Sequence, residues 1–125
     1  MKITGAMTAI ATPMSEDGAV DYSYLNKLID YQIDNSISAI VAVGTTGESA
    51  TIDFDEHVSL IEYFVKYIDG RVKVIAGTGA NSTIEALELT KSAKDAGADA
   101  ALLVSPYYNK PTQEGLFLHH TKIAD

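Results

Sequence analysis

The segment 44–49, Gly-Thr-Thr-Gly-Glu-Ser, has the composition of a small anion-binding loop. Glycines on both sides of Thr45 and Thr46 let the backbone turn sharply, so that its N–H groups can converge on one point. The threonine hydroxyls add groups that both donate and accept hydrogen bonds. A carboxylate or a phosphate suits such a cradle, although no lysine follows the second glycine as it does in a P-loop. The alternative interpretation is a turn that caps the next helix.

The segment 105–111 contains two adjacent tyrosines, Tyr107 and Tyr108, between prolines that stiffen the backbone. A tyrosine hydroxyl both donates and accepts, so it can pass a proton between a reacting group and another hydroxyl. The alternative is aromatic packing at an interface, for one ring or for both. The residues leave these two interpretations open.

The remaining candidate groups indicate structure rather than chemistry. The segment 77–82, Gly-Thr-Gly-Ala-Asn-Ser, matches only part of a dinucleotide fingerprint, and a turn is the better interpretation. His119 and His120 are neighbours, which a helix points about 100° apart, so they cannot chelate one metal ion together. His57 has no second histidine on its helical face. We therefore predict no metal site and no cofactor.

A lysine that attacks a carbonyl must be buried and aimed into the site. The lysines lie at the N-terminus, on predicted helices or, for Lys73, at the far end of a predicted strand. Only Lys110 lies near the face where the two loops meet, and it stands in an exposed segment. The chain offers no good Schiff-base lysine.

Strands and helices must position these loops. Three short apolar segments, 39–43, 72–76 and 100–104, have the character of strands buried on both faces, and 6–11 is a weaker fourth strand. Each is followed by a loop and by a stripe of apolar residues at helical spacing, in units of roughly 30 residues. The predicted helix caps are Asp21, Asp53 with Glu56, Ser82 with Glu85, Gly97 and Thr112.

Four βα units without a linker predict one α/β domain over residues 1–125. Two architectures fit: a small doubly wound sheet, or a (βα)4 half of a (βα)8 TIM barrel, which is typically ~250 residues long. Both place ligands at the carboxyl ends of the strands, where the loops 44–49 and 105–111 lie. Periodicity alone does not choose between them.

Composition excludes several classes of protein. The 125 residues are 46% hydrophobic and 21% charged, which is typical of a globular protein. The net charge of −8 repels a nucleic acid backbone. No apolar segment nears the ~18 residues of a membrane span, and residues 1–5 lack the long apolar stretch of a signal peptide. Because the chain has no cysteine, we expect a cytoplasmic protein without disulfides.

Three motifs together resemble the dihydrodipicolinate synthase family. They are residues 44–51 (GTTGESAT), 75–81 (IAGTGAN) and 106–115 (PYYNKPTQEG), in the same order as in that family. The resemblance covers the first half of the family's length. It implies the N-terminal half-barrel of a class I aldolase-type TIM barrel, and a homotetramer as the assembly.

The resemblance implies that pyruvate forms a Schiff base with a lysine and then condenses with L-aspartate 4-semialdehyde, in the diaminopimelate route to lysine. Thr45 and Tyr108 match two groups of the family's proton relay, with Tyr108 reaching into a neighbouring subunit. Thr46 matches the ligand of the pyruvate carboxylate. The family's Schiff-base lysine lies beyond residue 125. A sialate lyase, a keto-sugar-acid aldolase and a non-catalytic half-barrel binding or assembly module stay open as alternatives.

The resemblance also implies that free L-lysine acts as an effector at a subunit interface. Phe54 stands where some regulated members carry histidine, which predicts a weaker effect. The alternative for these side chains is interface packing and helix capping. The matching positions are Ser49, Ala50, His57, Asn81, Glu85 and Tyr107.

Overall fold

The computed structural model describes residues 3–125, in which strands alternate with helices. The strands are β1 (Met7–Ala9), β2 (Ala39–Ala42), β3 (Lys73–Gly77) and β4 (Ala100–Leu102). The helices are α1 (Tyr22–Asp34), α2 (Phe54–Ile68), α3 (Thr83–Ala96) and α4 (Gln113–Ala124). Two short 3-10 turns, Thr45–Gly47 and Ser49–Thr51, lie between β2 and α2. This alternation confirms the predicted (βα)4 arrangement.

The strands are parallel and follow one another across the sheet in the order β1-β2-β3-β4. A doubly wound sheet instead reverses its strand order at a switch point. The observed order therefore excludes the doubly wound alternative and matches consecutive strands of a (βα)8 barrel.

The two edge strands are shorter than the sequence predicts. β1 does not extend over all of 6–11, nor β4 over all of 100–104, because each of these strands pairs with a single neighbour. One further hydrogen bond continues each of these pairings past the strand end. The Ile10 N–H, just after β1, donates to the Val41 carbonyl at 3.2 Å. The Thr78 N–H, just after β3, donates to the Leu102 carbonyl of β4 at 3.1 Å. β2 ends before Val43, because Val43 adopts a left-handed φ of 52°.

The helices begin where the capping residues predict. The side chains of Asp21, Asp53, Ser82 and Thr112 each accept a hydrogen bond from the backbone N–H three residues later. Gly97 ends α3 in the left-handed conformation that glycine adopts without strain. The capping box predicted for Ser82 is only half formed among the described residues, because the Glu85 side chain lines a cavity instead of returning to the Ser82 backbone.

The main core lies between one face of the sheet and the helices. Alternate side chains of a strand point to opposite faces. Ile40 and Ala42 of β2, with Val74 and Ala76 of β3, pack in the same cluster as buried residues of the helices, among them Leu25, Ile29, Leu60, Ile61 and Phe64. The other face carries a smaller apolar cluster formed by Ala39, Val41 and Ile75. In a barrel, this second face is the interior. The helices of the described part fall short of the length and apolar character that a membrane span requires.

Candidate functional site

The carboxyl ends of β2, β3 and β4 surround a cavity of about 240 Å³, the strand-end cavity. Thr45 lies on its wall, as the sequence predicts for a residue that directly follows a parallel strand. Apolar groups of β4 and its exit form the opposite wall. The lining residues are Val43, Gly44, Thr45, Ser49, Gly77, Gly79, Leu102, Leu103 and Val104.

The loop after β2 is a 3-10 turn, which corrects part of the predicted cradle. The N–H groups of Gly47 and Ser49 both donate to the Gly44 carbonyl, at 3.0 and 3.3 Å, and the Glu48 N–H donates to the Thr45 carbonyl at 3.1 Å. These amides are used within the loop and cannot converge on a ligand. Thr45 and Thr46 are exposed, so their hydroxyls are available to a ligand.

Thr12 holds this loop from the side of β1, a role that the sequence analysis did not find. Its buried hydroxyl donates to the Gly47 carbonyl at 2.8 Å. A Cβ at Gly47 would lie 3.1 Å from that same hydroxyl oxygen. A threonine directly after the first strand was the signal in the sequence, but its partner lies 35 positions away.

Gly77 and Gly79 are close-approach positions, so it is the lack of a side chain that matters there. Neither is among the glycines with a positive φ. A Cβ at Gly77 would collide with the Val43 carbonyl oxygen and lie 2.8 Å from the Gly44 Cα. A Cβ at Gly79 would collide with the Val104 backbone nitrogen. Absence of side chains at these positions lets the exits of β2 and β4 come together around the strand-end cavity.

A second cavity, the interhelical cavity, has a volume of about 250 Å³ and contains all the residues that the sequence analysis assigned to an effector. Ser49, Ala50, His57, Asn81, Glu85 and Tyr107 line it together with Ile52, Gly79, Ala80 and Leu89. Asn81 joins two of the loops, because its side-chain oxygen accepts the Tyr107 N–H at 2.6 Å. Phe54 is not among the lining residues.

His57 is the buried titratable group of the interhelical cavity. Its Nε2 lies 2.8 Å from the Gly77 carbonyl oxygen. Burial lowers the pKa of His57, against the opposing effects of that hydrogen bond and of the Glu85 charge, so the ring is neutral at pH 7. A carbonyl can only accept, so Nε2 carries the proton and Nδ1 is left as an acceptor.

A third cavity, of about 320 Å³, lies beside Thr45 and is lined by Thr45, Glu48, Ser49, Ala50, Thr51, Val104 and Tyr107. Ser49 borders all three cavities, so they are neighbours. Tyr107 lines two of them, whereas Tyr108 lines none of the three. Tyr108 has a left-handed φ of 71° and a side chain that is 97% exposed. The loop therefore holds one tyrosine against its own chain and presents the other outward.

The histidine pair on α4 serves packing. His119 is buried and shares a hydrogen bond of 2.8 Å with the Thr83 hydroxyl, while Nε2 of His120 lies 3.2 Å from the Ser105 hydroxyl. Burial, with a smaller effect of His120, lowers the pKa of His119. The two rings lie edge to face. Across residues 3–125, no group of three acidic, histidine or cysteine side chains could hold a metal ion.

The described lysines stand away from the three cavities. Lys73 pairs with Asp99 at 2.7 Å, at the amino end of β3. Lys110 follows the exposed tyrosine loop with a left-handed φ of 47°. Within residues 3–125, none of the residues that line the three cavities is a lysine.

Known proteins share this sequence and this arrangement. The family model described as the Dihydrodipicolinate synthetase family matches residues 2–125. The 4-hydroxy-tetrahydrodipicolinate synthase of Saccharophagus degradans is 62% identical over 122 residues, which are 98% of this chain and 42% of the relative. The chain thus spans well under half the length of that relative.

Solved structures also match this chain closely in fold. A chloride-inhibited dihydrodipicolinate synthase from Acinetobacter baumannii, complexed with pyruvate, has a TM-score of 0.95 and 56% identity, covering 98% of this chain and 42% of that one. A dihydrodipicolinate synthase from Cyanidioschyzon merolae with lysine bound has a TM-score of 0.92 and 41% identity, over 98% of this chain and 42% of the other. The fold is that of the N-terminal half of these TIM barrels, and the chain belongs to the dihydrodipicolinate synthetase family.

Proposed function

We propose that the complete product of the gene encoding this chain is a 4-hydroxy-tetrahydrodipicolinate synthase, acting in the cytoplasm on the diaminopimelate route to lysine. The observation that carries the proposal is Thr45 and Thr46 at the carboxyl edge of a barrel sheet, in a chain 62% identical to a relative of that name. The substrates are pyruvate and L-aspartate 4-semialdehyde.

The chain contributes binding and proton transfer to this reaction. A lysine amine condenses with the pyruvate ketone and loses water to give a Schiff base, whose methyl carbon then loses a proton to give an enamine. The enamine carbon attacks the aldehyde carbonyl of the second substrate, and the resulting alkoxide takes up a proton. The Thr46 hydroxyl binds the pyruvate carboxylate. The Thr45 hydroxyl accepts a proton from one neighbour while giving its own to the next, which a hydroxyl on the wall of the strand-end cavity is placed to do.

Tyr108 completes the relay from a second subunit. Its own backbone turns it outward, and its side chain is 97% exposed. The cavity of about 320 Å³ beside Thr45 offers room for an aromatic ring. Exchange of such rings between two copies supports a homo-oligomer, for which we propose the tetramer of the family.

Trapping with borohydride tests the nucleophile. With pyruvate and sodium borohydride, the complete gene product is expected to gain one reduced pyruvyl group, because borohydride reduces a Schiff base to a stable amine. Peptide mapping by mass spectrometry is expected to place the adduct on a lysine outside residues 1–125, since none of the described residues that line the strand-end cavity or the cavity beside Thr45 is a lysine. Omission of pyruvate is the control. An adduct on Lys110, or no adduct at all, contradicts the proposed chemistry.

We propose L-lysine as the effector at the interhelical cavity. Its chemistry fits: the Glu85 carboxylate and the second lone pair of the Asn81 oxygen can accept from the α-ammonium, and the Tyr107 hydroxyl can donate to the carboxylate. The Nδ1 lone pair of neutral His57 can accept from the side-chain ammonium. The Cyanidioschyzon merolae relative has lysine bound, which supports the same ligand here.

Replacement of Glu85 tests this site. In the complete gene product, Glu85→Ala is expected to raise the half-inhibitory concentration of L-lysine at least about tenfold, because a hydrogen bond to a charged group is lost. Initial rates across an L-lysine titration measure it. Glu88→Ala is the matched control, because Glu88 is also a glutamate on α3 but does not line the cavity. Equal inhibition of the Glu85 and Glu88 variants would place the effector elsewhere.

A further inference from the structure

We propose that His57, Gly77 and Val43 form a positioning contact that holds the Thr45 segment in place and joins the interhelical cavity to the strand-end cavity. Gly77 is engaged on two sides. Its carbonyl oxygen accepts from His57 Nε2 at 2.8 Å. Its Cα faces the Val43 carbonyl so closely that a Cβ there would collide with it.

Val43 holds a conformation that its own chemistry disfavours. A β-branched residue at a φ of 52° is a backbone outlier, and such a residue persists only when its surroundings enforce it. Val43 is fully buried, and the missing side chain of Gly77 gives its carbonyl the space it occupies. Thr45 follows two residues later, so Val43 sets the direction in which the segment that carries Thr45 leaves β2.

His57 fixes Gly77 from outside the sheet. The ring projects from α2, is buried, and lines the interhelical cavity, whereas Gly77 lines the strand-end cavity. The hydrogen bond between them therefore crosses the wall that separates the two cavities. Loss of that bond would leave a buried carbonyl without its side-chain donor and would loosen the support beneath Val43.

The same contact gives the effector a route to the relay, an inference that rests on the proposed function. A ligand ammonium bound at His57 Nδ1 acts on the ring whose Nε2–H holds Gly77. Any movement of the ring displaces Gly77 against the Val43 carbonyl, and with it the Thr45 hydroxyl.

Variants of His57 in the complete gene product test the contact. His57→Leu removes the donor and keeps an apolar side chain, while His57→Gln keeps an N–H that can donate. Backbone hydrogen exchange over residues 43–49 is expected to be at least about tenfold faster in His57→Leu and near that of the unaltered protein in His57→Gln. In steady-state kinetics, His57→Leu is expected to lower kcat by roughly 10- to 100-fold and to raise the KM for pyruvate, because residues 43–49 carry both the Thr45 and the Thr46 hydroxyls, and His57→Gln is expected to restore both.

Thr90→Val is the matched control. It removes the hydroxyl that contacts the Thr78 hydroxyl at 2.8 Å, one residue beyond Gly77, and so it disturbs the same strand end without touching His57. It is expected to lower Tm without speeding exchange at 43–49. Unchanged exchange in His57→Leu, or equal acceleration in Thr90→Val, overturns the proposal. If the exchange results are as expected but the unaltered protein traps no pyruvate, the proposed function fails and the positioning contact stands.

Discussion

Replacing Tyr108 with phenylalanine or Thr45 with valine in the complete gene product is expected to lower kcat by about 10²–10⁴-fold each. Each variant removes a hydroxyl that can carry a proton and keeps most of the side-chain shape. Neither should abolish the Schiff base with pyruvate, because the lysine and the Thr46 hydroxyl that bind pyruvate in the proposed function are unchanged. Steady-state rates measure the loss, and borohydride trapping checks that pyruvate still binds.

A mixing experiment shows which subunit supplies Tyr108. If it serves a neighbour's site, a mixed pair of Tyr108→Phe and Thr45→Val subunits contains one intact site and one doubly altered site. Random re-association of equal amounts should then restore about one quarter of the original activity. Tyr31→Phe, which alters an exposed tyrosine on α1, is the control for loss of a hydroxyl. No restoration on mixing places Tyr108 in its own site, and activity within about twofold of the original in both variants removes the relay assignment.

The sheet and the helix starts could be predicted because their causes are local. Asp21, Asp53, Ser82 and Thr112 each bond a backbone N–H three residues away, which sequence spacing displays directly. The apolar segments around β2 and β3 are continuous because both faces of these strands are covered. The choice between a barrel and a doubly wound sheet needed the strand order, which depends on pairing between distant segments.

A residue's place in the candidate site could be predicted where it follows directly from the residue's position after a strand. It was missed where it depends on a contact with a distant segment of the chain. Thr45 stands on the strand-end cavity as expected. The sequence analysis predicted too many free N–H groups in the loop after β2, because hydrogen bonding within a 3-10 turn depends on the turn type rather than on composition. Thr12 and the close approach at Gly77 and Gly79 involve partners in the segments that follow other strands, and no spacing in the sequence records those contacts.

Gly77→Ala is expected to cause a large loss of stability. The added Cβ would collide with the Val43 carbonyl oxygen and lie 2.8 Å from both the Val43 carbonyl carbon and the Gly44 Cα. These are backbone atoms, so no rotamer change relieves the clash, and Val43 is already left-handed. The free energy of unfolding of the complete gene product is expected to fall by about 3 kcal/mol, more than 100-fold in the unfolding equilibrium.

Gly44→Ala is the control that separates the added methyl group from the collision. A Cβ at Gly44 meets only Val41 Cγ1, at an ordinary contact distance of 3.5 Å. The backbone of Gly44 is extended, with φ −81° and ψ −168°, which alanine adopts without strain. Urea unfolding followed by circular dichroism measures both variants, and Gly44→Ala is expected to stay within about 0.5 kcal/mol of the unaltered protein. If Gly77→Ala unfolds at the same urea concentration as Gly44→Ala, then Val43 can move aside freely. In that event the loop that carries Thr45 is not held by the packing of β2 against β3, and its position must be set by the Thr12 hydroxyl and the turn itself.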